Sequence, residues 1–184
     1  MKKHIAFFSQ TGSEIVNIAK HRNRWPDLVV TNKQDIEDVN QELLDNCINK
    51  LVIIPNKPSI EEYEAAIEQI NEPTNNIVIT LHGYLRILPK EICDKYKIYN
   101  GHPGAIHLYS ELIGKDPQER ALKYPKIGSV IHQVTADLDE GPIIGVVDET
   151  NKYNSTAEIT KALKELSLAL WLTKLPLLLN ENSN

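Results

Sequence analysis

Ile77-Val78-Ile79-Thr80-Leu81 runs directly into His82-Gly83-Tyr84-Leu85-Arg86-Ile87-Leu88-Pro89. An unbroken apolar stretch of this length, closed by a glycine, reads as a strand covered on both faces, the pattern of a parallel sheet flanked by helices. Outward from it the same short runs recur, at residues 4–9, 28–31 and 51–54 before it and at 129–135 and 143–148 after it. Helical patterns lie between them. One passes through Ile15, Ile18 and Ala19 after a Thr11-Gly12-Ser13 turn, and another covers residues 39–48. A third opens at Pro58-Ser59, where Ser59 as N-cap and Glu62 form a capping box and Ile60, Tyr63 and Ile67 share a face. A last helix starts from an N-cap at Ser155 or Thr156 and runs through Ile159, Leu163, Leu166 and Leu170 toward Pro176. Alternating strands and helices predict an α/β fold, a three-layer Rossmann-like sandwich with a largely parallel central sheet. Ligands of such sheets gather outside the carboxyl ends of the strands. That rule selects the residues after Ser9, Thr31, Leu81 and the Ile98-Tyr99 stretch.

The 184 residues fit one domain spanning 1–184, with 41% hydrophobic and 24% charged residues and a formal net charge of −5. That charge argues against a general nucleic-acid binder. No run approaches the roughly 20 apolar residues of a membrane span. Met1-Lys2-Lys3-His4 has the charge of a signal-peptide start, but the apolar run after it is short and ends in a Gly/Ser turn, so it reads as a first strand. Cys47 and Cys93 have no metal-like spacing and read as reduced structural thiols, which makes the cytoplasm the expected location.

Four segments could carry chemistry. Ser9-Gln10-Thr11-Gly12-Ser13 joins a strand to a helix, where a glycine and free N–H groups suit a phosphate. It lacks the GxxxxGK[ST] and GxGxxG patterns, and many such turns are purely structural. Glu14 suits the helix dipole but would repel a bound phosphate. The 81–89 loop could hold a flat heterocycle against its apolar residues, or could be simply a packed connection. In Asn100-Gly101-His102-Pro103-Gly104, an imidazole sits on a constrained turn with an uncharged donor two residues away, so both side chains share a side if the segment is extended. His107 lacks such context and reads as a surface residue. Thr135-Ala136-Asp137-Leu138-Asp139-Glu140-Gly141-Pro142 is an acidic turn; its carboxylates invite a calcium reading, but their spacing is not that of an EF-hand loop.

Taken together and in order, these segments resemble the folate-dependent formyltransferase family over nearly the whole chain. The most specific part is Asn100-Gly101-His102-Pro103, followed by Gly128-Ser129-Val130-Ile131-His132-Gln133-Val134-Thr135 and then Leu138-Asp139-Glu140-Gly141-Pro142. Leu81-His82-Gly83-Tyr84-Leu85-Arg86-Ile87-Leu88 resembles the family's folate-pocket segment, the Ser9-to-Ser13 turn its phosphate loop, and Val30-Thr31-Asn32-Lys33 its second strand end. The resemblance implies formyl transfer from 10-formyltetrahydrofolate, a co-substrate, to a primary amine, without a metal. It implies Asn100, His102 and Asp139 as the catalytic group. It places the pterin against Leu85, Arg86, Ile87 and Leu88 and against the loop containing Ala136, Leu138, Glu140 and Gly141. The acceptor is expected at Thr11, Gly12, Ser13 and Glu14, on the N-terminal half, with folate on the C-terminal half. A phosphorylated small-molecule amine is the expected partner, glycinamide ribonucleotide of purine biosynthesis foremost. The resemblance implies a monomer or homodimer that needs neither membrane nor nucleic acid.

Two departures bear on the acceptor. The family's loop usually continues Gly-Ser-Asn where this chain has Gly12-Ser13-Glu14, and a Glu that grips glycinamide in the last helix is replaced, with Ser167 the nearest match. Formyl transfer to an amino sugar nucleotide or modified nucleotide, hydrolysis of the folate, and a non-catalytic nucleotide-binding module are the competing readings. Transfer to methionyl-tRNA is less expected, because those enzymes carry a further C-terminal domain.

Overall fold

The computed structural model describes residues 1–114, 116–136 and 139–180. The strands are β1 (Lys3–Phe8), β2 (Leu28–Thr31), β3 (Leu51–Ile53), β4 (Ile77–Leu81), β5 (Ile98–His102), β6 (Lys126–Gln133) and β7 (Ile143–Thr150). The helices are α1 (Ser13–Arg22), α2 (Gln41–Cys47), α3 (Ile60–Glu68), α4 (Lys90–Lys95), α5 (Pro117–Ala121) and α6 (Thr156–Leu178). The strands form one sheet in the order β3-β2-β1-β4-β5-β6-β7. The first five are parallel, and β6 and β7 add antiparallel at one edge.

Side-chain alternation explains why both faces must be covered. Ile5 and Phe7 of β1 point to one side, where Ile77 and Ile79 of β4 join Tyr63, Ala66 and Ile67 of α3 and Ile92 of α4. Ala6 and Phe8 point to the other, against Ile15 and Val16 of α1 and Leu43 and Cys47 of α2. On that second face Val78 and Ile131 pack under Leu170, Trp171 and Leu175 of α6. The doubly wound, largely parallel sandwich expected from the sequence is thus the fold observed.

The Ser59–Glu62 capping box forms as expected, with Glu62 N–H donating to Ser59 Oγ (3.2 Å) and Ser59 N–H to Glu62 Oε2 (2.7 Å). The last helix is capped by Ser155, whose Oγ accepts from Glu158 N–H. It differs from expectation at its far end, continuing past Pro176 to Leu178. Proline there forgoes one backbone bond, but Leu175 and Leu179 are fully buried beside Trp171, and that packing holds the last turn. Cys47 and Cys93 are buried free thiols. Among the described residues no helix is long and apolar enough to cross a membrane.

The chain turns in opposite directions after β1 and β4, so the carboxyl ends of these neighbouring strands open the crevice where such sheets hold ligands. The two ends are stitched together: Ser9 N–H donates to Gly83 O (3.3 Å) and His82 N–H to Phe7 O (2.9 Å).

Candidate active site

Asn100 and His102 lie two residues apart on β5 and share a face. Asn100 stands opposite His132 in the β5–β6 pairing, which brings their side chains together, with Asn100 Nδ2 3.3 Å from His132 Nε2. Asp139 arrives from the loop between β6 and β7. Two features hold it there. Gly141 lies so close to β6 that a Cβ would sit 1.7 Å from the Gln133 carbonyl oxygen, and Gln133 N–H donates to Pro142 O (2.9 Å). Asp139 itself has φ +54°, the left-handed region, which costs most side chains energy but is more open to Asp.

The Asp139 carboxylate ends up between two imidazoles. Its Oδ2 is 3.3 Å from His102 Nδ1, and its Oδ1 is 3.3 Å from His132 Nε2. Asn100 Nδ2 donates to Oδ1 (3.4 Å) and Gly114 N–H to Oδ2 (3.2 Å). Burial alone would raise this carboxyl, but hydrogen bonds from the two histidines, reinforced by their charges, hold it well below the usual carboxylate range. His102 Nε2–H meanwhile donates to the Leu112 carbonyl (2.8 Å), so both ring nitrogens of His102 face acceptors.

A solvent-open cleft lies in front of this group. Leu81, Tyr84, Arg86, Ile87 and Leu88 form one wall, and Asn100, His132, Val134, Thr135, Ala136 and Asp139 the other. Of the residues expected at the pterin, Arg86, Ile87, Leu88 and Ala136 therefore line the cleft. Leu85 does not: its side chain is exposed, while its N–H donates to Ser9 Oγ (2.9 Å). Glu140 is exposed, Gly141 is buried against β6, and Leu138 lies outside the described residues. Arg86 is fixed by Asn56, donating from Nε to its backbone carbonyl (2.7 Å) and from Nη2 to its Oδ1. The Tyr84 hydroxyl pairs with that of Tyr63 (2.8 Å), and burial, with this hydrogen bond, pushes the phenol well above its usual value.

The residues expected at the acceptor form the turn after β1. Gly12 adopts φ +73°, and Leu43 packs 2.4 Å from where its Cβ would be, so the turn has no room for a side chain. Thr11 Oγ1 and Ser13 Oγ hydrogen-bond to each other (2.8 Å), and Ser13 N–H donates to Thr11 Oγ1 (3.3 Å). Glu14 turns back beneath the turn. Its Oε2 accepts from His82 Nδ1–H (2.7 Å) and its Oε1 from Ser167 Oγ–H (2.7 Å). Burial works against this charge, but the hydrogen bond and charge of His82 and the hydrogen bond of Ser167 outweigh it and lower the carboxyl. Trp171 bridges to β5: its ring lies 5.0 Å from His82 and fills the space where a Gly101 Cβ would be.

Sequence reasoning gave no role to His132, although its place opposite Asn100 makes it Asp139's second partner. Nor did it pair Glu14 with His82. The signal for His132 was present, a histidine on the strand before the acidic turn, but its use depends on the β5–β6 register. His107 is corrected: it is not a surface residue but mostly buried, with Nε2 3.4 Å from Asp148 Oδ2. The bend around Ala105, packed beneath Leu112 and Ala121, draws it inward.

Comparison with known proteins agrees with this architecture. Residues 2–169 match the family described as formyl transferase. A formyltetrahydrofolate deformylase of Haemophilus influenzae is 30% identical over 113 residues, 58% of this chain and 39% of that protein, so the match spans about two-fifths of the relative's length. Among solved structures, a phosphoribosylglycinamide formyltransferase from Anaplasma phagocytophilum superposes with a TM-score of 0.80 at 19% identity, covering 98% of this chain and 89% of that one. One of the same description from Campylobacter jejuni gives 0.79 at 20%, covering 97% and 98%. A formyltetrahydrofolate deformylase from Pseudomonas syringae gives 0.78 at 19%, covering 98% and 62%. With the family match extending over nearly all of its length and the fold in agreement, this chain belongs to the formyl transferase family.

Proposed function

We propose that the chain transfers a formyl group from 10-formyltetrahydrofolate to a primary amine. The observation that carries this reading is the convergence of Asn100, His132 and Asp139 on the wall of a cleft, with His102 directly behind the carboxylate. The pterin would lie between the 84–88 loop and Val134 to Ala136, placing N10 and its formyl group toward Asn100. The acceptor nitrogen attacks the formyl carbon, a new C–N bond forms, and the carbonyl electrons move onto oxygen. The Asn100 amide donates to that oxygen. His102 supplies a second donor once its Nε2–H exchanges the Leu112 carbonyl for the substrate oxygen. Asp139 orients the imidazole and helps carry the proton from the attacking nitrogen to N10 as the old C–N bond breaks. The products are the N-formylated acceptor and tetrahydrofolate, and no step requires a metal.

Glycinamide ribonucleotide is the acceptor suggested by the phosphoribosylglycinamide formyltransferases of the same fold. Glu14 favours a second reading, transfer to a different amine. The test is spectroscopic loss of 10-formyltetrahydrofolate with and without glycinamide ribonucleotide. Acceptor-dependent loss establishes reaction and substrate, whereas loss without acceptor favours the hydrolase. A chain that neither binds nor consumes the folate contradicts the proposal.

A further inference from the structure

Buried polar groups continue from Glu14 deep into the sheet. Ser167 Oγ–H and His82 Nδ1–H each donate to one Glu14 oxygen at 2.7 Å. His82 Nε2 lies 2.8 Å from Thr80 Oγ1, which lies 2.8 Å from His4 Nε2. Thr80 is fully buried, and His4, His82 and Ser167 nearly so. The Thr80 hydroxyl has one proton. Either imidazole can take it, and in both cases the row runs to the Glu14 carboxylate, which accepts from His82 and Ser167. The row ends at the Glu14 carboxylate, on the second residue of α1.

That is where a helix ordinarily attracts an outside anion. Here the chain supplies its own. Leu43 fills the space beside Gly12, and the Thr11 and Ser13 hydroxyls hydrogen-bond to each other. Glu14 is not sealed off, since about a third of its side chain (32%) is exposed. Each of its oxygens has accepted one described hydrogen bond and can accept another. It also lies on the reacting side of the molecule, joined through His82 and the Trp171 ring to Gly101, between Asn100 and His102.

We infer that Glu14 is a specificity-determining residue that bars a phosphate from this end of the crevice and selects an amine acceptor offering an ammonium, amine or hydroxyl donor there instead. This rests on the formyl-transfer reading above. Ser167 and His82 are positioning residues, holding the carboxylate in one rotamer.

The test is calorimetric titration of inorganic phosphate, against sodium chloride at matched ionic strength, into the wild-type chain and Glu14→Gln, with glycinamide ribonucleotide and its dephosphorylated riboside titrated in parallel. Wild type is expected to show no saturable phosphate binding and to bind the riboside at least as tightly as the ribonucleotide. Removing the charge is expected to create phosphate binding and to shift the ratio toward the ribonucleotide by about tenfold or more. Phosphate binding to wild type, a wild-type preference for the ribonucleotide, or a Glu14→Gln chain as indifferent to phosphate as wild type would overturn the inference. If the variant fails to fold by circular dichroism, the wild-type comparison of ribonucleotide with riboside still decides. Titration of 10-formylfolate into the same samples separates the two ideas: absence of folate binding contradicts formyl transfer, while the phosphate titrations judge Glu14 independently.

Discussion

The Asp139 carboxylate lies between His102 and His132, and its accepted hydrogen bonds come from groups on three different segments. Replacing it by Asn keeps the shape but removes the charge that holds two imidazoles in place. Asp139→Asn is expected to lower the rate constant for formyl transfer by ~10²–10⁴, the usual contribution of a positioned proton-transfer group. Circular dichroism should be unchanged. A variant within a few-fold of wild type would remove Asp139 from the mechanism. At this scale the sequence was informative where chemistry is local: Asn100 and His102 are two residues apart on an extended segment, and their shared face follows from spacing alone. His132 and His82 were not legible in the same way. Their partners, Asp139 and Glu14, are brought to them by strand pairing and by α1 folding over β4, and no short-range pattern encodes either contact.

The elements set these side chains by close approach. β6 and the following turn touch at Gly141, where an added methyl would overlap the Gln133 carbonyl oxygen, and the turn presents Asp139 two residues earlier. Gly141→Ala is therefore expected to push the turn off β6. The expected effect is destabilisation of about 1–3 kcal/mol, with a fall in turnover larger than stability alone explains. Urea midpoints and turnover measured together check this; a fully active variant would show that the turn tolerates the displacement. Strands and helices were the most legible level, because a sheet covered on both faces produces unbroken apolar runs and the capping residues Ser59 and Ser155 mark helix starts. The end of α6 was less so. Pro176 reads as a stop, yet burial of Leu175 and Leu179 beside Trp171 overrides it.

Over the whole molecule, two buried groups that titrate below neutrality make stability fall as pH falls. His4 is held well below its ordinary value by burial first, then by the charges of His82, Arg22 and Arg24. As pH falls through about 6.5, the unfolded chain takes up a proton at His4 that the native chain refuses, so stability declines. The Asp139 carboxyl is depressed; its contribution is complete above about 3.9 and is lost as pH falls further, toward its folded value. Urea midpoints should therefore fall from about pH 6.5 downward, and His4→Gln should flatten the first part of that decline. A wild-type midpoint constant down to about pH 5 would contradict a neutral buried His4. On the proposed reading the donor lies in the cleft lined by the 84–88 loop, Asn100 and His132 and the acceptor near the turn after β1, so the central claim concerns what joins them. The most direct measurement compares His102→Ala with wild type for 10-formylfolate affinity and for single-turnover formyl transfer to whichever amine the wild-type chain accepts. Affinity within a few-fold and a rate reduced by ~10²–10³ is the expected result. Undiminished transfer by a folded His102→Ala chain would contradict it.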